Sequence, residues 1–118
     1  MPFEVFNKRT ASARLPAYVS IQKKGIIRMN TPAYALIDEP EAVELLFDGE
    51  RQVLGLRAVD PAAEHAYMVR AHARSGSHLV SGAAFARHYD IEVDHARRWP
   101  AQMEGDILCI NIGESPVS

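Results

Sequence analysis

Basic side chains are the residues of this 118-residue sequence whose types and spacing could do chemistry. Lys23 and Lys24 stand directly before Gly25, and Arg28 follows shortly after. Lysines at the tip of a hairpin reach phosphates as point charges, whereas arginine binds a phosphate through two parallel hydrogen bonds. A few such contacts predict weak, salt-sensitive binding of a polyanion. The alternative is a solvated turn whose lysines protect a strand edge.

A second basic cluster is Arg97 and Arg98 beside the single tryptophan, Trp99. Tryptophan next to arginine could stack on a nucleic-acid base or on a ring of a partner. The alternative is a core tryptophan in a strand, with arginines pointing outward. With the basic residues nearest the N-terminus, the candidate nucleic-acid contacts are Lys23, Lys24, Arg28, Lys8, Arg9, Arg14, Arg97 and Arg98.

The charge distribution is uneven along the chain, although the formal net charge is only −2. Residues 1–30 hold six basic residues and one acidic residue, a net formal charge of +5, and residues 31–118 hold seven basic and fourteen acidic residues, −7. One end of the chain could therefore meet an anion that the rest repels. The alternative is a basic tail that keeps an acidic domain in solution.

Catalytic and metal-ligating patterns are weak. The five histidines lack the short repeated spacing of a metal site. Ser81 is not in a nucleophile elbow and is better explained as a helix cap, while Cys109 lies in an apolar segment with no base nearby in sequence. We therefore expect no enzyme activity, no metal and no cofactor.

Short alternating segments must position these side chains, and they predict mostly strands. Residues 18–23 and 26–29 alternate around Lys23-Lys24-Gly25, which predicts a hairpin with a basic turn. Residues 43–58 predict a second hairpin, in which Gly49 is expected to supply a positive φ. Further strands are expected at residues 66–71, at "LV" before Ser81, and on both sides of residues 104–106.

Two short helices are expected between these strands. In "NTPAYALI", Asn30 or Thr31 suits the N-cap, and Pro32 suits the first turn. In "LVSGAAFARHY", Ser81 is expected to be the cap. The expected core consists of Val19, Ile21, Ile27, Met29, Leu45 and Leu56.

A weak internal repeat relates residues 19–59 to residues 78–113. Met29-Asn30 aligns with Val80-Ser81, and Ala33-Tyr34 aligns with Ala84-Phe85. Each half has the pattern strand, capped helix, strand, turn, strand; chance or a common local pattern is the alternative. The sequence thus predicts an N-terminal arm, residues 1–16, and one compact α+β, mostly β domain, residues 17–118, built from two similar strand–short helix–β-hairpin halves.

Residues 19–59 resemble the AbrB/SpoVT swapped-hairpin domain, and the repeat resembles the tandem MraZ arrangement. The matching residues are Lys24-Gly25, Ile27, Met29, Ala33, Leu36, Val43, Leu45, Asp48, Leu54 and Leu56. The chain is also similar to actinobacterial proteins. The family resemblance implies a swapped-hairpin-like barrel, a homodimer, and DNA phosphates contacted by Lys23, Lys24 and Arg28.

The sequence as a whole favours a nucleic-acid-binding protein, specifically a DNA-binding transcriptional regulator that contacts phosphates through a basic early β-hairpin. The alternative is a non-enzymatic protein-interaction or assembly module, which would use an acidic surface or add the "PFEVF" segment as a strand. The single cysteine and the absence of a long apolar run are typical of a cytoplasmic protein that does not enter a membrane.

Overall fold

The computed structural model describes residues 16–117. The expected arm, apart from Pro16, lies outside the described residues, and so do Lys8, Arg9 and Arg14. In chain order the strands are β1 (Tyr18–Ile21), β2 (Ile26–Met29), β3 (Ala42–Asp48), β4 (Val53–Ala58), β5 (Tyr67–Met68), β6 (Arg70–Ala71), β7 (His78–Ser81), β8 (Arg97–Pro100), β9 (Gln102–Glu104) and β10 (Ile107–Asn111). The helices are α1 (Thr31–Leu36) and α2 (Ala83–His88). The expected mostly β, α+β class is confirmed.

None of the described helices is long and apolar enough to cross a bilayer.

The strands form two antiparallel sheets of five strands each. Sheet 1 has the order β6-β7-β2-β1-β8, and sheet 2 has the order β5-β3-β4-β10-β9. Val69 separates β5 from β6, and Ala101 separates β8 from β9, so that two bent segments each contribute to both sheets. The pairings therefore make a closed circuit within one chain, and the described strands need no second chain to complete it.

The core lies between the two sheets. Val19, Ile21, Ile27 and Met29 are buried and alternate with more exposed residues, as the period of two along a strand requires. Five of the six expected core residues are buried, while Leu45 is half-buried at the edge of the same cluster.

The two helices begin differently. The side chain of Asn30 accepts a hydrogen bond from the amide of Ala33, which confirms Asn30 as the N-cap of α1. The cap expected at Ser81 is wrong: Ser81 is the last residue of β7, and Gly82 is the N-cap of α2, without a side-chain cap bond. The strand continues one residue further than the sequence pattern indicated.

The turn between β3 and β4 also differs from the expectation. Gly49 does not have a positive φ; Gln52 does, with a φ of 58°. Asp48 stabilises the turn instead, because its carboxylate accepts hydrogen bonds from the backbone amides of Glu50 and Arg51. The loop is longer than the two-residue turn in which glycine is needed.

Candidate nucleic-acid interface

Three arginines lie in one row across sheet 1. Arg70 of β6 is paired with Leu79 of β7, which is paired with Arg28 of β2. Arg28 is paired in turn with Ser20 of β1, and Ser20 with Arg98 of β8. The cross-strand register thus places an arginine on every second strand, and we call Arg70, Arg28 and Arg98 the arginine row.

The arginine row faces away from the core. Directly paired residues of antiparallel strands have their side chains on the same face of the sheet. The neighbouring positions Val19, Ile27 and Val80 are buried, so the face with Arg28 is the outer one. Neighbouring strands lie about 4.8 Å apart, which puts successive arginines of the row about 10 Å apart along the sheet.

The two sheets differ in charge. The strands of sheet 1 contain four arginines and no aspartate or glutamate. The strands of sheet 2 contain Glu44, Asp48 and Glu104 but only one basic residue, Arg57. Sheet 1 is therefore the cationic one of the two sheets, a polarity that the net charge of the chain conceals.

The carboxylates of the described residues do not neutralise the middle of the row. Within residues 16–117, neither Arg28 nor Arg70 forms an ion pair, and Arg70 is exposed. The Arg98 guanidinium lies 4.4 Å from the centre of the Tyr18 ring, in cation–π distance. Two unit charges 10 Å apart in water repel by only about 0.4 kcal/mol. The three arginines can therefore lie in one row in the free protein, and the row still attracts an external anion.

A cavity of about 480 Å³ lies over the outer face of β1, between Arg28 and Arg98. Tyr18, Ser20 and Gln22 contribute to its lining. The remaining lining residues among residues 16–117 are Asn30, Ser77, Ala96, Arg97 and Val117, so the described lining has three arginines and no acidic residue. An anionic or hydrogen-bonding ligand fits this composition.

The described chain begins at the edge of this cavity. The Asn30 amide nitrogen donates to the carbonyl oxygen of Pro16, and its amide oxygen accepts from the backbone of Tyr18. Asn30 therefore both caps α1 and fixes the start of β1. The basic residues predicted as contacts nearer the N-terminus precede this point in the sequence.

Lys23 and Lys24 occupy a separate place. They are exposed in a 3-10 turn, Lys23–Gly25, between β1 and β2 and do not line the cavity. The Lys24 amide donates to the carbonyl of Val93, which brings this turn beside the exposed acids Glu92 and Asp94. The acidic neighbours weaken the positive potential at the tip, and its role as a phosphate contact stays a prediction.

Arg97 is oriented differently from Arg98. It is paired with the buried Ile21 and lies on the inner face with Trp99, which is 1% exposed. The alternative of a core tryptophan is therefore confirmed, but its expectation that the arginines point outward is wrong for Arg97. The guanidinium carbon of Arg97 lies 5.0 Å from the centre of the Trp99 ring, and a terminal nitrogen of the guanidinium donates to the carbonyl of Glu92. Arg97 thus packs against the core tryptophan and also contributes to the lining of the cavity.

Sequence reasoning missed Arg70. Its neighbourhood, "AYMVRA", carries no basic cluster, and the pairing of β6 with β7 and of β7 with β2 is what brings it into line with Arg28. Alternation within a strand indicates the face of a residue, but it does not indicate which residues lie opposite one another.

The other groups of the described residues that could do chemistry are a buried thiol and an exposed cluster of two acids and a histidine. Cys109 is buried, and burial raises the pKa of its thiol, which disfavours the nucleophilic thiolate. Glu92, Asp94 and His95 come within 4.8 Å of one another but are all exposed. The His95 Nδ1 atom is 2.9 Å from Asp94 Oδ1, the arrangement of a solvated acidic loop.

Comparison with models of known protein families, with curated proteins and with solved structures found no match to this chain.

Proposed function

We propose that this protein is a non-enzymatic nucleic-acid-binding protein whose contact surface is the outer face of sheet 1. The observation that carries the proposal is the arginine row: Arg70, Arg28 and Arg98 on alternate strands of a sheet without acidic residues. Arginine is suited to phosphate because its planar guanidinium donates two parallel hydrogen bonds.

An extended polyanion fits the row better than a small anion does. Successive arginines about 10 Å apart are too distant to hold one phosphate together, since charge-assisted hydrogen bonds require about 2.7–2.9 Å. A nucleic-acid backbone offers repeated phosphates to all three positions. Binding should depend on salt, because each neutralised phosphate releases condensed counterions.

A swapped-hairpin architecture of two similar halves is part of this proposal, and reciprocal contacts support it. The carbonyl of Gly25 accepts from the amide of Gly82, and the carbonyl of Gly76 accepts from the hydroxyl of Thr31. Gly76 follows Gly25 by 51 residues, and Gly82 follows Thr31 by 51 residues, the offset that aligns Met29 with Val80. The turn of each half thus contacts the helix start of the other half.

Homodimer formation and transcription regulation remain predictions from the family resemblance. The closed circuit of strand pairings removes one reason for a dimer, because each half already has its partner in the same chain. A dimer would instead act by doubling the number of phosphate contacts. The alternative function, a protein-interaction module, would leave the arginine row to bind an acidic protein surface.

Fluorescence anisotropy with labelled oligonucleotides tests the proposal. We expect Arg28→Ala/Arg70→Ala/Arg98→Ala to weaken binding, and we expect the slope of log affinity against log salt to fall by up to about 2–3 units. Lys23→Ala/Lys24→Ala measures the contribution of the hairpin tip in the same assay. The single variant Arg70→Ala is measured as well, and Arg87→Ala is its matched control, because Arg87 is an exposed arginine on α2 and not on a strand of sheet 1.

The outcomes separate the possible sites. Loss of binding in the row variant, with little change in the control, supports the proposal. Unchanged binding in the row variant, with loss in the lysine variant, would move the site to the tip of the early hairpin. No salt-dependent binding of any nucleic acid by the unaltered chain at low salt would contradict the proposed function and favour a protein partner.

A further inference from the structure

We infer that the cavity over β1 holds an unpaired base, so that the protein binds single-stranded nucleic acid in preference to a duplex. This inference rests on the proposed function, because the flanking arginines of the same surface supply the phosphate contacts. It adds a ligand class that a row of cations alone does not specify.

The shape of the cavity is the first argument. Its volume of about 480 Å³ lies in the range of small-ligand pockets, about 300–1,000 Å³. The side chains that flank it stand on β2 and β8, whose backbones are two strand spacings apart, about 10 Å, with Arg28 on one side and Arg98 on the other. A base enters such a trough only when it is unstacked and unpaired, which costs least in a single strand.

The second argument is the floor of the cavity, whose side chains can form hydrogen bonds with the edge of a nucleic-acid base. The Gln22 side-chain amide donates to Ser20 Oγ at 2.7 Å, which fixes its orientation. Within the described residues the side-chain amide oxygen of Gln22, Oε1, accepts no hydrogen bond, and the Ser20 hydroxyl proton remains available for donation. A donor and an acceptor side by side suit the polar edge of a base.

The Tyr18–Arg98 pair is the third argument. The guanidinium lies over the Tyr18 ring at 4.4 Å from its centre, and both groups line the cavity. Bases stack on aromatic rings and on guanidinium planes in complexes of proteins with single strands. The pair provides a planar wall beside the hydrogen-bonding floor, and Arg28 stands on the opposite side for the phosphate.

Anisotropy and competition with the full chain test this inference. The probes are a labelled single strand of about 20 nucleotides, the duplex of the same sequence, and unlabelled inorganic polyphosphate as competitor. We expect the single strand to bind at least about tenfold more tightly than the duplex. Ser20→Phe fills the trough without changing charge and should remove this preference, while polyphosphate competition changes by less than about twofold.

Leu79→Phe is the matched control, because it introduces the same ring in the same cross-strand row but outside the cavity. It should keep the preference for the single strand. A second readout needs no variant: in amide NMR spectra, the side-chain amides of Gln22 and Asn30 should shift with the single strand and not with polyphosphate. Thermal unfolding of each variant shows that it is folded.

Two results would overturn the inference. One is a duplex that binds as tightly as the single strand; the other is a folded Ser20→Phe variant with unchanged preference and no amide shifts at Gln22. Either result leaves the proposed function intact as long as salt-dependent binding persists. Absence of binding to nucleic acid and to polyphosphate would instead overturn the proposed function itself.

Discussion

Gly25 packs directly against the backbone of Ala83, the first residue of α2. A β-carbon on Gly25 would lie 2.7 Å from the Cα atom of Ala83, a distance that forces the backbone to move. Gly25 also has a φ of 86°, a conformation that other residues adopt only with strain. The turn of the first half and the helix of the second half therefore meet where only glycine fits.

Substitution of three glycines separates the effect of a positive φ from the effect of the close contact with Ala83. Gly25→Ala should destabilise the protein most, by about 3 kcal/mol or more, because the left-handed backbone and the collision with Ala83 both contribute. Gly76→Ala and Gly105→Ala should cost only about 1–2 kcal/mol each, because both have a positive φ but a β-carbon there meets nothing closer than 3.5 Å. Urea unfolding measures all three, and equal losses would mean that the close approach to α2 is unimportant.

The sequence predicted the mostly β class, most of the core and the Asn30 cap, because each depends on local patterns. Burial of alternate residues is visible in β1 and β2, and a cap needs only one side chain and the amide three residues later. The bends at Val69 and Ala101 were not predicted: no glycine or proline stands beside Val69, and Pro100 before Ala101 does not by itself show that the chain passes to the other sheet. They arise where one segment leaves the first sheet and joins the second.

The candidate site was only partly accessible from sequence. Arg28 and Arg98 were candidates on separate grounds, but their relation through Ser20 depends on two cross-strand registers. Arg70 gave no signal, because its place in the row depends on its pairing with Leu79. Tertiary pairing, rather than local composition, decides which charges act together.

Leu79 offers a test by gain of function. It is half-buried on the outer face, between Arg70 and Arg28 in the same row. Leu79→Lys adds a cation to the row and should tighten nucleic-acid binding, with a salt slope steeper by about 0.7–0.9. Leu79→Gln is the uncharged control. A lysine variant that is folded and binds no better than the glutamine variant would place the phosphate path elsewhere on the surface.

Ionisation of the Tyr34 phenol should lower the stability of the fold at alkaline pH. Burial raises the pKa of its phenol, and the carboxylates of Glu39 and Glu41 raise it further. A raised folded-state pKa favours the protonated phenol, so this stabilisation is complete below the unfolded value of about 10 and is lost as the pH rises through the folded value. Tyr34→Phe should therefore weaken the fall in stability above about pH 10.

The same substitution removes a hydrogen bond at neutral pH. The Tyr34 hydroxyl donates to the carbonyl of Pro40, and its loss should cost about 1 kcal/mol in urea unfolding. Tyr67→Phe is the control, because Tyr67 is half-buried in β5. If both variants show the alkaline profile of the unaltered protein, the titration of Tyr34 does not contribute to its stability.

The ion pairs of sheet 2 should differ in importance according to the exposure of the acid. Arg57 contacts Glu44, whose side chain is only 15% exposed and also contacts His65. Arg51 contacts Asp48 and Glu104, both 41% exposed. A half-buried carboxylate that loses its partner is poorly compensated by water, whereas exposed pairs contribute little.

We therefore expect Arg57→Met to lower the urea midpoint more than Arg51→Met does, although Arg51 has more ionic contacts. Glu44→Gln in the Arg57→Met background should restore part of the loss, because it removes the charge of a carboxylate that has lost its arginine partner. Glu44→Gln in the unaltered protein should be destabilising. The opposite effects of this substitution in the unaltered protein and in the Arg57→Met variant serve as the control. A larger midpoint shift for Arg51→Met would mean that the turn between β3 and β4, rather than the Glu44 contact, determines the stability of this sheet.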